Sequence, residues 1–353
     1  MTGGSSHRWT YGWRTPMPAN PRRTTLAAVA RMAGVSVATV SKVVNGRSDV
    51  APQTRSRVQD LLHQHDYVAP VTRRTGTGAR PTIEVQFAGG FRPYVAEALD
   101  GILDAAAEEG VSVVTSKPDV APHWARDLVS AGRSALIAVT SVYTAARLEA
   151  LTQVALPLVV LDPLHQPHSQ VNSVGATNFA GGLAATDHLL ALGHRRIGYL
   201  GGPADAPSNQ ARVHGYRAAM EAKKAPVPRG YVRPGDFTFQ TGLLGAGALL
   251  DLAEPPTAIF AGNDEIALGV IETARLRGLR IPEDLSVVGF DDTVLARMSS
   301  PPLTTIRQPM REMGGVALRT ALRLAGREKI ESHHIELATD LVVRASTAPV
   351  RTG

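Results

Sequence analysis

Residues 25–67 read TLAAVARMAGVSVATVSKVVNGRSDVAPQTRSRVQDLLHQHDY, and this stretch decides how the chain opens its fold. Leu26, Val29 and Ala30 recur at helical spacing. Ala33-Gly34-Val35 interrupts them, and Ser36 reopens a second helix carrying Val40, Val43 and Val44. Gly34 suits the turn because it takes positive φ at no steric cost, and Ser36 can cap the next helix by accepting a backbone N–H. A third helix over 54–65 brings Val58, Leu61 and Leu62 to a small core. The pattern predicts a helix-turn-helix, a module that lays its second helix, here 36–44, in the DNA major groove.

The charge distribution agrees. Residues 1–80 hold 12 Lys and Arg against three Asp, a net +9, so the remainder carries −3 of the chain's overall +6. A basic head on a mildly acidic body puts a polyanion contact at the N-terminal end, where counterion release supplies sequence-independent affinity. Residues 1–23 mix Gly, Pro, Ser and Arg without periodicity and read as a disordered extension. Trp9, Tyr11 and Trp13 within it offer the alternative of stacking on nucleic acid. Residues 71–81, VTRRTGTGARP, read as a linker.

With 353 residues, 44% of them hydrophobic, the chain is long enough for two or three folding units. No apolar run approaches the roughly 18 residues of a membrane helix, and the opening segment lacks a signal-type apolar stretch, so a cytoplasmic protein away from membranes is expected. The absence of Cys excludes disulfides and thiolate zinc sites.

From residue 82 onward, short strands alternate with amphipathic helices. Strands are predicted at 83–87, 111–115, 135–140, 157–161, 197–200, 231–233, 258–261, 285–289 and 341–343. Helices are predicted at 94–109, 145–154, 178–192, 212–222, 238–250, 264–277 and 310–324. Strict alternation argues for doubly wound α/β sheets with parallel strands, and similar numbers of units on either side of Val171 suggest two lobes. Ligands of such sheets sit at the carboxyl ends of the strands, which directs attention to the polar residues there.

Five blocks in order then resemble one family. They are VARMAGVSVATVSKVVNG (29–46), HLLALGHRRIGYLGGP (188–203), AIFAGNDEIALGV (258–270), PEDLSVVGFDDT (282–293) and SPPLTTIRQP (300–309). Together the chain resembles transcription regulators of the lactose-repressor and galactose-repressor (LacI/GalR) family over residues 25–347. The resemblance implies a three-helix DNA-binding head (24–69), a hinge (70–81) and a two-lobed periplasmic-binding-protein-like core (82–347), followed by a tail (348–353). The core would comprise an N-lobe of about 82–172 plus a return segment and a C-lobe of about 173–305 plus a C-terminal segment. It also implies a homodimer on a pseudo-palindromic, double-stranded operator, with a small effector, expected to be a carbohydrate, clasped between the lobes.

Carried onto this sequence, the head motif places Val37, Ala38 and Lys42 at positions that meet base edges. Val37 and Ala38 offer apolar contact suited to thymine methyls, with ordinary helix packing as the alternative, while Lys42 can donate to guanine or a phosphate. Thr25, Leu26, Ser36, Thr39, Ser41, Asn45 and Thr54 match positions that mostly touch phosphates and set register. The hinge departs from the family: Pro70 stands where Asn is common, Arg73 replaces Ala, Arg74 is kept, and Gly76 occupies the place of the Leu that wedges into the minor groove. Glycine there resists helix formation, so Arg73, Arg74 and Arg80 are expected to hold DNA instead, with weaker bending of the operator.

In the body, Asp162, Arg212, Asn263 and Asp291 follow or flank strand ends, and Phe237 sits where relatives stack an aromatic ring on a sugar face. Arg212 is expected to open its helix. Phe91, Arg92 and Tyr94 are expected to line the near wall, and Gln308 to lie beside the cleft. Carboxylate, amide, guanidinium and aromatic platform together suit hydroxyls and sugar C–H faces. Taken singly, Asp291 and Asn263 also suit helix caps, Asp162 a turn before Pro163, and Arg212 a surface ion pair.

Other chemistries find no support. Gly201-Gly202-Pro203 lacks dinucleotide and phosphate-loop spacing, no nucleophile elbow occurs, and His333-His334 lacks further metal ligands, so no enzyme activity, cofactor or metal is expected. His194 is read as a turn tether. An exported solute-binding protein would share the lobes but lack the head. A regulator with a non-sugar effector, a corepressor or no effector stays open as the alternative.

Overall fold

The computed structural model describes residues 25–44, 50–65, 80–165 and 171–351. The extension, Asn45, Arg73, Arg74 and Gly76 lie outside the described residues. The chain divides into two compact units, residues 1–75 and 76–353.

In the first unit, α1 (Leu26–Ala33) and α2 (Val37–Val44) meet at a 107° bend, and α3 (Pro52–Gln64) packs on both. Gly34 makes the turn at φ 66°, as its lack of a Cβ allows, and its N–H closes α1. Thr25 caps α1 by accepting from the Ala28 amide at 3.3 Å, and Ser36 accepts from the Thr39 amide at 3.1 Å. Val29, Ala30, Ala33, Val40, Val43, Val50 and Val58 form the core, with Leu26, Leu61 and Leu62 against it. The third helix starts two residues before its expected position because Pro52 is favourable in the first turn, where no N–H is needed.

The second unit contains two six-stranded sheets. The first runs β11 (His334–Leu337), β5 (Asn172–Ala176), β4 (Leu158–Leu161), β3 (Arg133–Val139), β1 (Thr82–Phe87), β2 (Ser112–Ser116). The second runs β12 (Asp340–Val342), β10 (Thr304–Arg307), β9 (Ser286–Asp291), β8 (Ala258–Ala261), β6 (Ile197–Leu200), β7 (Val232–Arg233). Helices α4 (Pro93–Glu108) and α12 (Met310–Ala325) cover one face of the first sheet. Its other face carries α5 (Trp124–Ser130) and α6 (Ala145–Gln153). The second sheet lies between α7 (Asn178–Ala191) with α8 (Pro207–Ala222) and α9 (Phe239–Leu250) with α10 (Asp264–Leu276). Central strands such as β8 and β9 are buried on both faces, which explains their continuous apolar runs.

The doubly wound α/β expectation holds, with four corrections. β12 pairs antiparallel with β10, so the second sheet is mixed. β5, β10 and β11 were not anticipated, because NSVGA, TTIR and HIEL are short and half-polar. The helices α5 and α11 (Val294–Met298) were also missed, being seven and five residues long. Because β5 pairs with β4, the first crossing between lobes falls at Thr177, past the expected boundary near 172. The chain crosses again at Gln308 and between β11 and β12, where Thr177 and Thr339 hydroxyls bond at 3.0 Å. No single helix among the described residues is long and apolar enough to cross a membrane.

Candidate functional site

In both sheets the chain order reverses beside the strand nearest one edge, at β1/β3 and at β6/β8, which opens a crevice at the strands' carboxyl ends. The polar residues expected there do gather, and Arg212 is their centre. It does not open its helix, as expected from sequence; α8 begins five residues earlier at Pro207, and Arg212 lies inside it, 3% exposed. The polar run Ser208-Asn209-Gln210 is helical, and Asn209 turns inward, accepting from Tyr199 Oη at 2.8 Å.

The guanidinium is heavily engaged. Nε donates to Asn178 Oδ1 at 2.8 Å, Nη1 to the Gly262 carbonyl at 2.6 Å, and Nη2 stands 3.9 Å from Asp291 Oδ1. Its carbon lies 3.8 Å from the centre of the Phe290 ring and 5.5 Å from that of Phe237. Asp291 ends β9 at φ 112° and accepts from Gln308 Nε2 at 2.7 Å. Burial holds its carboxyl well above the ordinary carboxylate range; Arg212 opposes this, and Asp264 and Asp162 reinforce it.

Asp162, half-buried after β4 at φ 49°, is also raised by burial against the pull of Arg212. Tyr94, on the first turn of α4, is raised by burial and by the nearby Asp162 and Asp291. Two buried polar atoms here have no hydrogen-bond partner among the described residues: Tyr94 Oη and Gln308 Oε1. Gln308 is 2% exposed, so its oxygen is out of reach of bulk water.

Phe237 also takes positive φ, 53°. Its ring lies where a Cβ on Gly202 would come within 2.2 Å, so only glycine permits that approach. Left-handed conformations at three non-glycine residues of one site cost about 1–3 kcal/mol each and mark a locality held by its surroundings. Asn263 caps α10, accepting from the Ile266 amide at 2.9 Å while donating to the Phe237 carbonyl at 3.1 Å. Phe91 is 66% exposed and packs on Phe87 with ring centres 4.6 Å apart. Arg92 crosses between lobes, bonding both oxygens of Glu265 at 3.0 and 2.5 Å and reaching the Phe237 carbonyl at 3.4 Å.

Sequence reasoning missed Asn178, Asp264 and Glu265. Asn178 binds Arg212 and donates to the Ala176 carbonyl at 2.9 Å, thereby bracing the first crossing. Asp264 is buried and accepts from the Thr293 amide and hydroxyl at 2.7 and 2.9 Å and from the Thr305 hydroxyl at 2.7 Å. Burial pushes its carboxyl up to about 7. Their side-chain partners Arg212, Thr293, Thr305 and Arg92 lie 29 to 173 residues away, a separation that local pattern does not reveal. His194 does tether: its ring bonds Thr257, Ser286 and the Ala348 carbonyl at 2.9–3.1 Å. Among the described residues no cluster of three or more His, Asp or Glu is arranged to hold a metal ion.

In the head, Val37 is 48% exposed, and Ala38 and Lys42 are exposed, on α2, whose buried residues are Val40 and Val43. Core packing therefore does not account for Val37 and Ala38. Ser36 and Thr25 are exposed caps; Thr39, Ser41 and Thr54 are half-buried, and Leu26 leans on the core.

Comparison with known proteins agrees with both units. Residues 25–69 match the bacterial regulatory proteins of the lacI family, and residues 186–347 match a periplasmic binding protein-like domain. The HTH-type transcriptional regulator DegA of Bacillus subtilis (strain 168) is 34% identical over 337 residues, covering 94% of this chain and all of the relative. A solved transcriptional regulator CelR–cellobiose complex aligns with TM-score 0.70 at 31% identity over 92% of this chain and all of that one. The lac repressor dimer bound to operator and the anti-inducer ONPF aligns at 0.67, with 28% identity, over 93% of this chain and all of that one. A head and a two-lobed core matched along nearly their whole length, in one order, mean that this chain belongs to the LacI family of bacterial transcriptional regulators.

Proposed function

We propose that the chain is a cytoplasmic, homodimeric repressor that binds a pseudo-palindromic operator and is switched by a carbohydrate held between its lobes. The observation that carries this reading is the pair of buried, unpartnered atoms, Tyr94 Oη and Gln308 Oε1. They stand in a site whose other groups are Arg212, Asp162, Asp291 and two aromatic rings. Buried polar atoms are nearly always satisfied, so these two suit a ligand's hydroxyls. Phe91, Tyr94, Asp162, Arg212, Phe237, Asn263, Asp291 and Gln308 are the contacts, with Asn263 acting chiefly through the Phe237 loop it ties down.

The cellobiose in the CelR complex supports a sugar ligand, and the lac repressor structure supports a dimer on operator DNA. On DNA, the exposed Val37, Ala38 and Lys42 read bases, while Thr25, Leu26, Ser36, Thr39, Ser41, Asn45 and Thr54 set register on phosphates, and Arg73 and Arg74 grip the backbone or a narrow minor groove. The effector acts by population shift: it favours one degree of lobe closure and so changes how both heads fit their half-sites. The cleft has no catalytic role in this reading.

Fluorescence anisotropy with DNA from upstream of the protein's own gene cluster, against excess non-specific competitor and with a sugar panel, tests it. Specific binding released by one sugar is the expected result. Binding that never exceeds the competitor level, there or on randomised palindromes, overturns it.

A further inference from the structure

Arg212 sits among residues that follow the carboxyl ends of strands in both sheets. Asn178 comes two residues after β5 of the first sheet, Gly262 directly after β8 of the second, and Asp291 ends β9. Three contacts fix the plane of the guanidinium: Nε on Asn178 Oδ1, Nη1 on the Gly262 carbonyl, and the Phe290 ring 3.8 Å from its carbon. Nη2 is left over. It stands 3.9 Å from Asp291 Oδ1, beyond hydrogen-bond reach, and donates to no group among the described residues.

The buried amide of Asn178 can meet Arg212 in only one orientation. Its Nδ2 donates to the Ala176 carbonyl at 2.9 Å, which turns Oδ1 toward Nε; the flipped amide would set donor against donor and acceptor against acceptor. The helices that carry the pair pack closely. A Cβ on Gly182 of α7 would come within 2.3 Å of the Arg212 carbonyl oxygen, and one on Gly215 of α8 within 2.2 Å of that of Phe179. This approach sets the first residue of α7 against a guanidinium carried on the second turn of α8.

Resting on the reading of this cleft as an effector site, we propose that Asn178 is a positioning residue for ligand binding: it aims Arg212 so that Nη2 donates to an oxygen of the ligand, and touches no ligand itself. Without the Asn178 amide, the guanidinium keeps only the Gly262 carbonyl as a hydrogen-bond partner and can pivot about Nη1. Nη2 then swings onto Asp291, 3.9 Å away, whose carboxyl offers an acceptor oxygen in either protonation state. A donor held in place before the ligand arrives loses little freedom on binding, whereas one that must first leave Asp291 weakens binding.

The test is isothermal titration of the full chain with glucose, galactose, ribose and cellobiose, on wild type, Asn178→Ala, Asn178→Asp, Arg212→Lys and the Asn178→Ala/Arg212→Lys double variant. For a sugar that binds wild type, Asn178→Ala is expected to weaken binding roughly tenfold. Asn178→Asp keeps an acceptor for Nε and should weaken it by less than about threefold. In the Arg212→Lys background, Asn178→Ala should have no further effect, because the amide acts through the guanidinium; a structural residue would carry its own loss into that background. Should Arg212→Lys fail to fold, hydrogen exchange of Arg212 Nε–H by NMR decides instead: in Asn178→Ala that exchange must quicken while the sugar binds more weakly. Full affinity in Asn178→Ala, or an undiminished loss in the Arg212→Lys background, overturns the positioning role and leaves the effector reading intact. Binding of none of the four sugars to wild type overturns the carbohydrate reading and the positioning role with it.

Discussion

The two lobes share one strand order, yet they contribute to the cleft in different ways. The second lobe supplies Arg212, Asn263, Asp264 and Asp291, each no more than 7% exposed and each bound to protein groups. The first supplies Phe91, Tyr94 and Asp162, which are more exposed, and one of them, Tyr94, has its hydroxyl unpaired. One wall is thus assembled before any ligand arrives, and the other is receptive. Such a division lets a ligand bridge the lobes, gaining contacts on the receptive wall without disturbing the assembled one.

The comparison breaks most readily at Arg212. Replacing it with Ala leaves Asn178 Oδ1 and the Gly262 carbonyl without their donor and Asp291 without its cation, an expected loss of about 3–5 kcal/mol in urea unfolding. A loss below about 1 kcal/mol would mean that the second lobe is not the pre-assembled half.

A further difference should appear with pH. Asp264 is raised to about 7, so the folded state holds its proton more tightly than the unfolded chain; that contribution is complete below the unfolded value and is lost as pH rises through about 7. His188 and His194 are lowered by burial, so their contribution is present above 6.5 and is lost as pH falls through their folded values. Asp162 and Asp291, also raised by burial, act in the same direction as Asp264, so together these carboxyls should lower the unfolding midpoint as pH rises from the unfolded carboxylate range toward about 7, and Asp264→Asn should reduce that fall. An unchanged fall in that variant would assign the slope to other groups.

The receptive wall is probed by Tyr94→Phe. Removing an unpartnered hydroxyl should leave stability within about 0.5 kcal/mol of wild type. Ligand affinity should fall roughly fivefold, or about 1 kcal/mol, by titration calorimetry. A large stability loss with unchanged affinity would make Tyr94 a structural residue.

The smallest effect belongs to the pair that joins the lobes. With its side chains 40% and 21% exposed, Arg92–Glu265 is screened by water and should contribute less than about 1 kcal/mol. Arg92→Ala should nonetheless raise the radius of gyration in small-angle scattering, as should high salt acting on wild type. Identical scattering profiles would show that closure does not depend on this contact.

Much of this was legible in the sequence because it is written in short-range pattern. The helical spacing of Val29, Val40 and Val43 and the glycine at 34 specify the head, and the continuous apolar runs AIFA and SVVGF specify buried parallel strands. Asp162, Arg212 and Asp291 could be picked out because sheet topology directs ligands to strand ends. The short half-polar strands stayed hidden: TTIR and HIEL become strands through neighbours that arrive from elsewhere in the chain, and DLV turned antiparallel for the same reason.

By itself, the sequence determined the class of protein, the elements of the head and the residue types available at the strand ends, since propensity, periodicity and charge act over a few residues. Only the tertiary structure decided that Arg212 lies within its helix, that Asn178 and Gln308 meet it and Asp291 from two of the three crossings, that Asp264 finds Thr293 and Thr305, and that Arg92 reaches Glu265 173 residues away. Those contacts depend on which buried polar groups must find partners once water is excluded, and that requirement exists only in the folded chain.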